Sequence, residues 1–251
     1  MAPNLLILGG SAEASALAAH VAAMGLRATF SYAGRVASPI AQPLPTRTGG
    51  FGGTAGLTAY LQDHSVTHLI DATNPFAAQI SRNAVAACAV AGVPMIALAR
   101  PPWTPGPGDR WTRVPGAAAA ARALGRTPSR IFLAIGRTEI SVFEAAPQHH
   151  YLLRFVDAPK ESPALPHHAV IVDRGPFAEA DERDLLETHG IDLLVSRNAG
   201  GEGARAKIDA ARRLGLPILM IDRPRAPQRH EVGTVAEVLD WIAHSVTDRG
   251  V

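Results

Sequence analysis

The most constraining feature of this sequence is a repeated unit. A short apolar strand ends at glycine or a small polar residue, and an alanine-rich stretch of helical length follows. Leu5-Leu6-Ile7-Leu8 runs into Gly9-Gly10, and Ala12 to Met24 then reads as a helix closed by Gly25. A strand that is apolar at every position is buried on both faces, which is the pattern of a parallel sheet. A terminal glycine supplies the left-handed residue that closes a helix. The unit recurs as strands Ala28–Ser31, His68–Asp71 and Met95–Leu98, with helices Thr54–Asp63 and Phe76–Ala91, the last stopped by Gly92. Such an alternation predicts a parallel sheet covered by helices on both sides.

Residues 101–108 read Pro-Pro-Trp-Thr-Pro-Gly-Pro-Gly. Four prolines in eight residues continue neither a helix nor a central strand. A linker is therefore expected over residues 101–115, between a first domain of residues 1–100 and a second of residues 116–251. The second half repeats the theme with strands Ile131–Ile135, Tyr151–Val156, Ala169–Val172, Asp192–Ser196 and Pro217–Ile221. Its helices are Ala178–His189, Gly203–Leu214 and Thr234–Ser245. Two α/β domains of this kind bind ligands beyond the carboxyl ends of their strands, so a cleft between them is the expected site.

Composition narrows the function. The 251 residues carry 24 basic and 22 acidic side chains, with no basic block suited to nucleic acid. Residues 1–115 hold seven arginines, no lysine and four acids, a slight positive excess that suits an anionic ligand. The single cysteine, Cys88, forms no internal disulfide and no cysteine metal site. No apolar stretch approaches the ~20 residues of a membrane span. A cytoplasmic setting is expected, without nucleic acid, membrane or metal. A monomer is compatible with the sequence, which does not fix the oligomeric state.

Candidate ligand-binding segments lie where strands end. Gly9, Gly10, Ser11 and Ala12 join strand one to helix one, where glycines admit a pyrophosphate and a helix N-terminus favours it. Ser11 also reads as a plain N-cap. After strand two stand Ser31 and Arg35, with no acid to read a ribose 2′-hydroxyl, which favours NADPH over NADH. A solvated loop arginine is the other reading. Gly50, Phe51, Gly52 and Gly53 form a glycine loop around one aromatic ring. Thr73 and Asn74 follow strand three as cofactor contacts or as caps of the next helix. In the second half, Arg137, Arg154, Arg174, Ser196, Arg197, Asn198, Gly200, Gly201 and Lys207 collect at or after strand ends. That recurrence suits a ligand with several carboxylates, although each cation taken singly reads as a surface ion pair.

Several chemistries are excluded. Four residues after Tyr32, Tyr60 and Tyr151 stand Val36, His64 and Phe155, so no Tyr-x-x-x-Lys pair is present. GxSxG, Walker A and HExxH motifs are absent as well. No catalytic acid, base or nucleophile is identified.

Taken together, the segments Ile7–Glu13, Tyr32–Val36, Gly49–Gly53, Asp71–Ala77, Arg174–Phe177 and Ser196–Gly203 resemble the precorrin-6A reductase family, in order, over Leu5 to Pro224. The resemblance implies two successive Rossmann-like α/β domains and hydride transfer from NADPH to a conjugated double bond of precorrin-6A, giving precorrin-6B in cobalamin biosynthesis. It places Ser11, Ser31, Arg35, the loop around Phe51 and Thr73 in the cofactor half. Arg137, Arg154, Arg174, Arg197 and Lys207 fall in the half facing the tetrapyrrole. Asn74 stands where many members have His, and Arg197 where Lys is expected. Cobalt-precorrin-6A, or another carboxylated substrate of an NADP-dependent reductase, are the alternatives within enzymology. A non-catalytic nucleotide sensor is the alternative outside it.

Overall fold

The computed structural model describes residues 2–34 and 39–247. The chain runs β1 (Asn4–Leu8), α1 (Ala12–Ala23), β2 (Arg27–Tyr32), β3 (Thr46–Thr48), α2 (Gly53–Asp63), β4 (His68–Asp71), α3 (Ala78–Ala91) and β5 (Met95–Leu98). It continues through β6 (Arg110–Val114), α4 (Ala117–Ala123), β7 (Arg130–Ala134), a 3-10 segment (Arg137–Ala145), β8 (His150–Phe155) and β9 (His168–Val172). It ends with α5 (Glu179–Thr188), β10 (Leu193–Arg197), α6 (Ala206–Arg213), β11 (Pro217–Ile221), β12 (Glu231–Val232) and α7 (Val235–Thr247).

Two six-stranded sheets form, ordered β12-β5-β4-β1-β2-β3 and β6-β11-β10-β7-β8-β9. Every strand pairing in both is parallel. Read from β3 and from β9, each shows the doubly wound order 3-2-1-4-5 with a sixth strand beyond the fifth, so the Rossmann-like expectation holds. The sixth strands are exchanged. β6 follows β5 in the chain but pairs with β11, while β12 follows β11 but pairs with β5.

That exchange corrects the expected domain boundaries. One unit comprises Met1–Pro101 with Arg225–Val251, and the other Pro102–Pro224. The second domain thus stops at Pro224, and residues 110–114, expected in a linker, are a strand of its sheet. The return is anchored by packing: Val238 and Ile242 of α7 are buried against Val21 of α1 and against Ile96 and Leu98 of β5. His68 meets the Trp241 ring edge-on at 5.3 Å.

In the first unit β1 divides the core as a pleated strand must. Leu5 and Ile7 join the cluster under α1 and α7, whereas Leu6 and Leu8 join Leu57, Leu61, Ala84 and Cys88 under α2 and α3. Burial pushes the Cys88 thiol up to about 12, aided by the charge of Asp71, so it is a packing residue rather than a reactive one. The second unit packs Phe132, Leu152, Leu194, Ile208 and Met220 together. Helix α3 begins at Ala78, not Phe76, because Asn74 Oδ1 accepts from the Phe76 N–H (3.0 Å) and holds a turn there. Residues 203–205 are likewise a turn, and α6 begins at Ala206.

Candidate functional site

Register sets the geometry of the first unit. Leu8 lies opposite Ser31 on one side and Asp71 on the other, Ser31 lies opposite Arg47, and Asp71 opposite Ala97. Residues following these positions therefore emerge from one edge. The chain winds outward in opposite directions from β1 and β4, and the crevice between such strands is where open α/β sheets bind ligands. Gly9-Gly10-Ser11 and Ala72-Thr73-Asn74 flank that crevice. Ser11 spans it: its hydroxyl donates to the Ala72 carbonyl (2.8 Å) while its oxygen accepts from the Ala14 N–H (3.0 Å). Both readings of Ser11 as cap and as crevice residue thus meet in one side chain, next to the N-terminal amides of α1.

The two glycines are required for different reasons. A Cβ on Gly9 would stand 2.0 Å from the Phe30 ring, so only glycine fits beside that ring of β2. Gly10 has φ +120, and a Cβ there would meet nothing within 4 Å. The turn is open on its outer side, as a backbone cradle for a diphosphate must be. The donors and the space fit a dinucleotide.

Asp71 organises the far side of the crevice. Its carboxylate is 2% exposed and accepts from the Thr73 N–H (3.1 Å), the Thr73 hydroxyl (2.7 Å) and the Ser81 hydroxyl (2.6 Å), and it pairs with Arg229. Thr73 is thereby fixed, while the Asn74 oxygen is used in its own turn. Across the sheet Ser31 is buried and accepts from Arg47 (2.8 Å), whose guanidinium lies 3.8 Å from the centre of the Phe51 ring. Gly50, Phe51, Gly52 and Gly53 thus sit beside the end of β2, and Ala12 opens α1. Arg35 lies outside the described residues.

The second unit repeats this geometry around β7 and β10, where its chain reverses outward. Arg197, at the end of β10, lies over Gly136, where a Cβ would come within 2.6 Å of its guanidinium, and is ion-paired with Glu139. Arg137 is exposed, donates to the Asp157 carbonyl (2.9 Å) and caps the Phe155 ring at 4.9 Å. Arg174 pairs with the Asp157 carboxylate at 3.4 Å. These three cations share the carboxyl edge of the second sheet.

Other candidates reach the same edge already engaged. Arg154 is locked to the buried Glu182 and stacked 3.8 Å from the Phe177 ring. Asn198 grips the Trp103 backbone twice, accepting from its N–H (2.8 Å) and donating to its carbonyl (2.9 Å). The Trp103 indole donates to the Gly201 carbonyl (2.8 Å), and buried Lys207 donates to the Ala204 carbonyl (2.6 Å), 5.4 Å from the Trp103 ring. Ser196 is buried, and Gly200 and Gly201 turn the chain with positive φ. Sequence analysis passed over Arg47, Glu139, Asp157, Glu182 and Arg229. Nothing in the local sequence sets any of these charges apart, and pairing with a residue well separated in the chain is what reveals each.

Comparison with known proteins gives a consistent set of matches. The sequence model of the family described as "Precorrin-6x reductase CbiJ/CobK" matches residues 4–243. A precorrin-6A reductase of Rhodobacter capsulatus is 55% identical, over 99% of both chains. One of Mycobacterium tuberculosis is 40% identical over 96% of this chain and 97% of its own. A cobalt-precorrin-6A reductase of Priestia megaterium is 27% identical over 98% of each. The solved structure of a CobK precorrin-6A reductase superimposes with a TM-score of 0.94 at 54% identity, covering 96% of both chains.

Proposed function

This chain belongs to the precorrin-6x reductase (CbiJ/CobK) family, and from that premise we propose that it reduces precorrin-6A to precorrin-6B with NADPH as the hydride source. It is an oxidoreductase of cobalamin biosynthesis. The observation that carries the cofactor half is the open Gly9-Gly10-Ser11 turn at the β1/β4 crevice. The higher identity to precorrin-6A reductases (40–55%) than to a cobalt-precorrin-6A reductase (27%) favours the metal-free macrocycle.

When bound, a reduced nicotinamide supplies the hydride. The residues of the chain bind, orient and exclude water. Backbone amides of Gly10, Ser11 and Ala12 hold the diphosphate at the helix N-terminus. Ser31 and Arg35 serve the adenosine ribose. Thr73, tethered by Asp71, sets the wall on the β4 side. In the second unit Arg137, Arg174 and Arg197 receive carboxylates of the macrocycle, for which their forked donors are suited. Arg154, Asn198 and Lys207 hold that edge in shape. The conjugated macrocycle is already electrophilic, so proximity and orientation supply the main acceleration, and no strong side-chain acid is needed at the hydride step.

The test is turnover with precorrin-6A and NADPH, followed by dinucleotide oxidation and product mass. A gain of two hydrogens with NADPH consumed is expected, with NADH and the cobalt-loaded macrocycle as slower parallel reactions. NADPH bound tightly but unconsumed, with the macrocycle unchanged, would rule out this substrate.

A further inference from the structure

Among the described residues Arg47 is an arginine paired with no acid. It stands on β3, opposite Ser31 of β2, at the carboxyl edge of the first sheet. One terminal nitrogen donates to Ser31 Oγ (2.8 Å) and the Gly49 carbonyl (3.0 Å), and the other to the Gly50 carbonyl (3.1 Å). Phe51 covers one guanidinium face at 3.8 Å, and Tyr60 lies at 5.3 Å. Every one of these partners is neutral. Among the described residues no carboxylate reaches it, whereas Arg100, Arg154, Arg197, Arg212 and Arg229 each hold one.

Burial lowers the Arg47 pKa from its ordinary value, with Tyr60 acting weakly in the other direction. The arginine range is high enough that the group still remains charged. The fold therefore partly desolvates a cation and, among the described residues, supplies no counter-charge. A guanidinium has five N–H donors, and three are engaged here. The remaining two lie in the guanidinium plane, which Phe51 holds fixed.

Position selects the anion. The diphosphate cradle lies at the end of β1, and the ribose of a dinucleotide bound there lies beside the end of β2. Neighbouring strands are about 4.8 Å apart, so β3 stands roughly 10 Å from β1. A phosphate on the far oxygen of that ribose reaches toward β3. We propose that Arg47 binds a phosphomonoester dianion there, the 2′-phosphate of the adenosine ribose, and is a residue by which the enzyme selects NADPH over NADH. This rests on the NADPH reading above and adds to Arg35 a second cation, whose setting is defined.

The test is titration of the full chain and of Arg47→Gln with NADPH and NADH, and in competition with adenosine 2′,5′-bisphosphate and AMP. The variant should weaken NADPH and the bisphosphate by at least about tenfold, and NADH and AMP by less than about twofold, since charge-assisted bonds to the 2′-phosphate alone are lost. Equal losses for all four ligands would make Arg47 a mere latch of the glycine loop and overturn the proposal, as would no loss. A wild-type protein that does not prefer NADPH would instead remove the NADPH reading, and Arg47's role with it. Phosphorus NMR of the bisphosphate bound to wild type adds a second readout. Its 2′-phosphate should stay dianionic to lower pH than in the free ligand, and that shift should shrink in Arg47→Gln because Arg35 alone is then left. An unshifted titration in wild type, or an undiminished shift in the variant, overturns the proposal.

Discussion

Arg229 and Asp71, 158 positions apart, form a buried ion pair at the carboxyl edge of the first sheet. The pair ties the returning C-terminal segment to the acid that fixes Thr73, and Arg229 also holds Glu231 at 2.9 Å. Their side chains are 10% and 1% exposed, so solvent screens the pair little. Arg229→Met leaves a buried carboxylate with hydroxyl and amide donors only. The expected cost is about 3–5 kcal/mol of unfolding free energy in urea, because breaking a buried pair strands the other charge. Adding Asp71→Asn should recover part of it. A loss below about 1 kcal/mol would show that the pair does not hold the segment.

The exchanged sixth strands lead to a second prediction. A chain ending at Pro224 lacks β12 and α7, which uncovers the β5 edge and the surface that Val238 and Ile242 bury. The second unit keeps all six of its strands. On the cofactor reading proposed above, thermal unfolding of this truncated chain should show no transition that added NADPH raises, while a cooperative transition from residues 102–224 persists. A truncated chain whose first unit still melts cooperatively and responds to NADPH would refute the argument.

What the sequence disclosed and what it hid follow one physical line. β1 and β5 are legible because burial on both faces writes itself as an apolar run, and β4 because its Leu69-Ile70 centre is apolar between His68 and Asp71. The unread strands β3, β6 and β12 are all edge strands, polar and partly exposed, and β12 has only two residues. The exchange could not be read because it depends on which distant sheet a weak edge strand joins. Candidate site residues were legible because parallel strands bring their carboxyl ends to one edge. Their engagement was not, since Arg154–Glu182 and Asn198–Trp103 are contacts across 28 and 95 positions.

His149 predicts an acid sensitivity. Its side chain is wholly buried, Nε2 faces the Gln148 amide at 3.1 Å, and Nδ1 has no partner among the described residues. Burial lowers its pKa, with a smaller opposing effect from the Gly125 backbone. The neutral ring is thus favoured in the fold, and the unfolded chain binds the proton first. Stability from this group is full above about pH 6.5, the ordinary histidine value, and declines as pH falls through it toward the lower folded value. Urea midpoints measured between about pH 7 and pH 5 should therefore fall more steeply in wild type than in His149→Leu. Parallel slopes would mean that other groups carry the whole acid response.

Arg154 and Arg197 should fail in different ways when each is replaced by methionine. The Arg154 partner Glu182 is sealed in the core, its side chain 2% exposed, and Phe177 covers the guanidinium. Arg154→Met should cost about 3–5 kcal/mol of stability, and a folded fraction at low temperature should keep near-normal KM for the tetrapyrrole. Arg197 sits over Gly136 with Glu139 only partly enclosed, at 21% and 31% side-chain exposure. Its replacement should change the urea midpoint little, since a pair that water reaches contributes about 1 kcal/mol or less. KM for the macrocycle should rise by about tenfold as one charge-assisted carboxylate contact is lost, while NADPH affinity stays unchanged. A stability loss for Arg197→Met with unaltered KM would place Arg197 with Arg154 as scaffold, and would leave Arg137 and Arg174 as the carboxylate contacts of that edge.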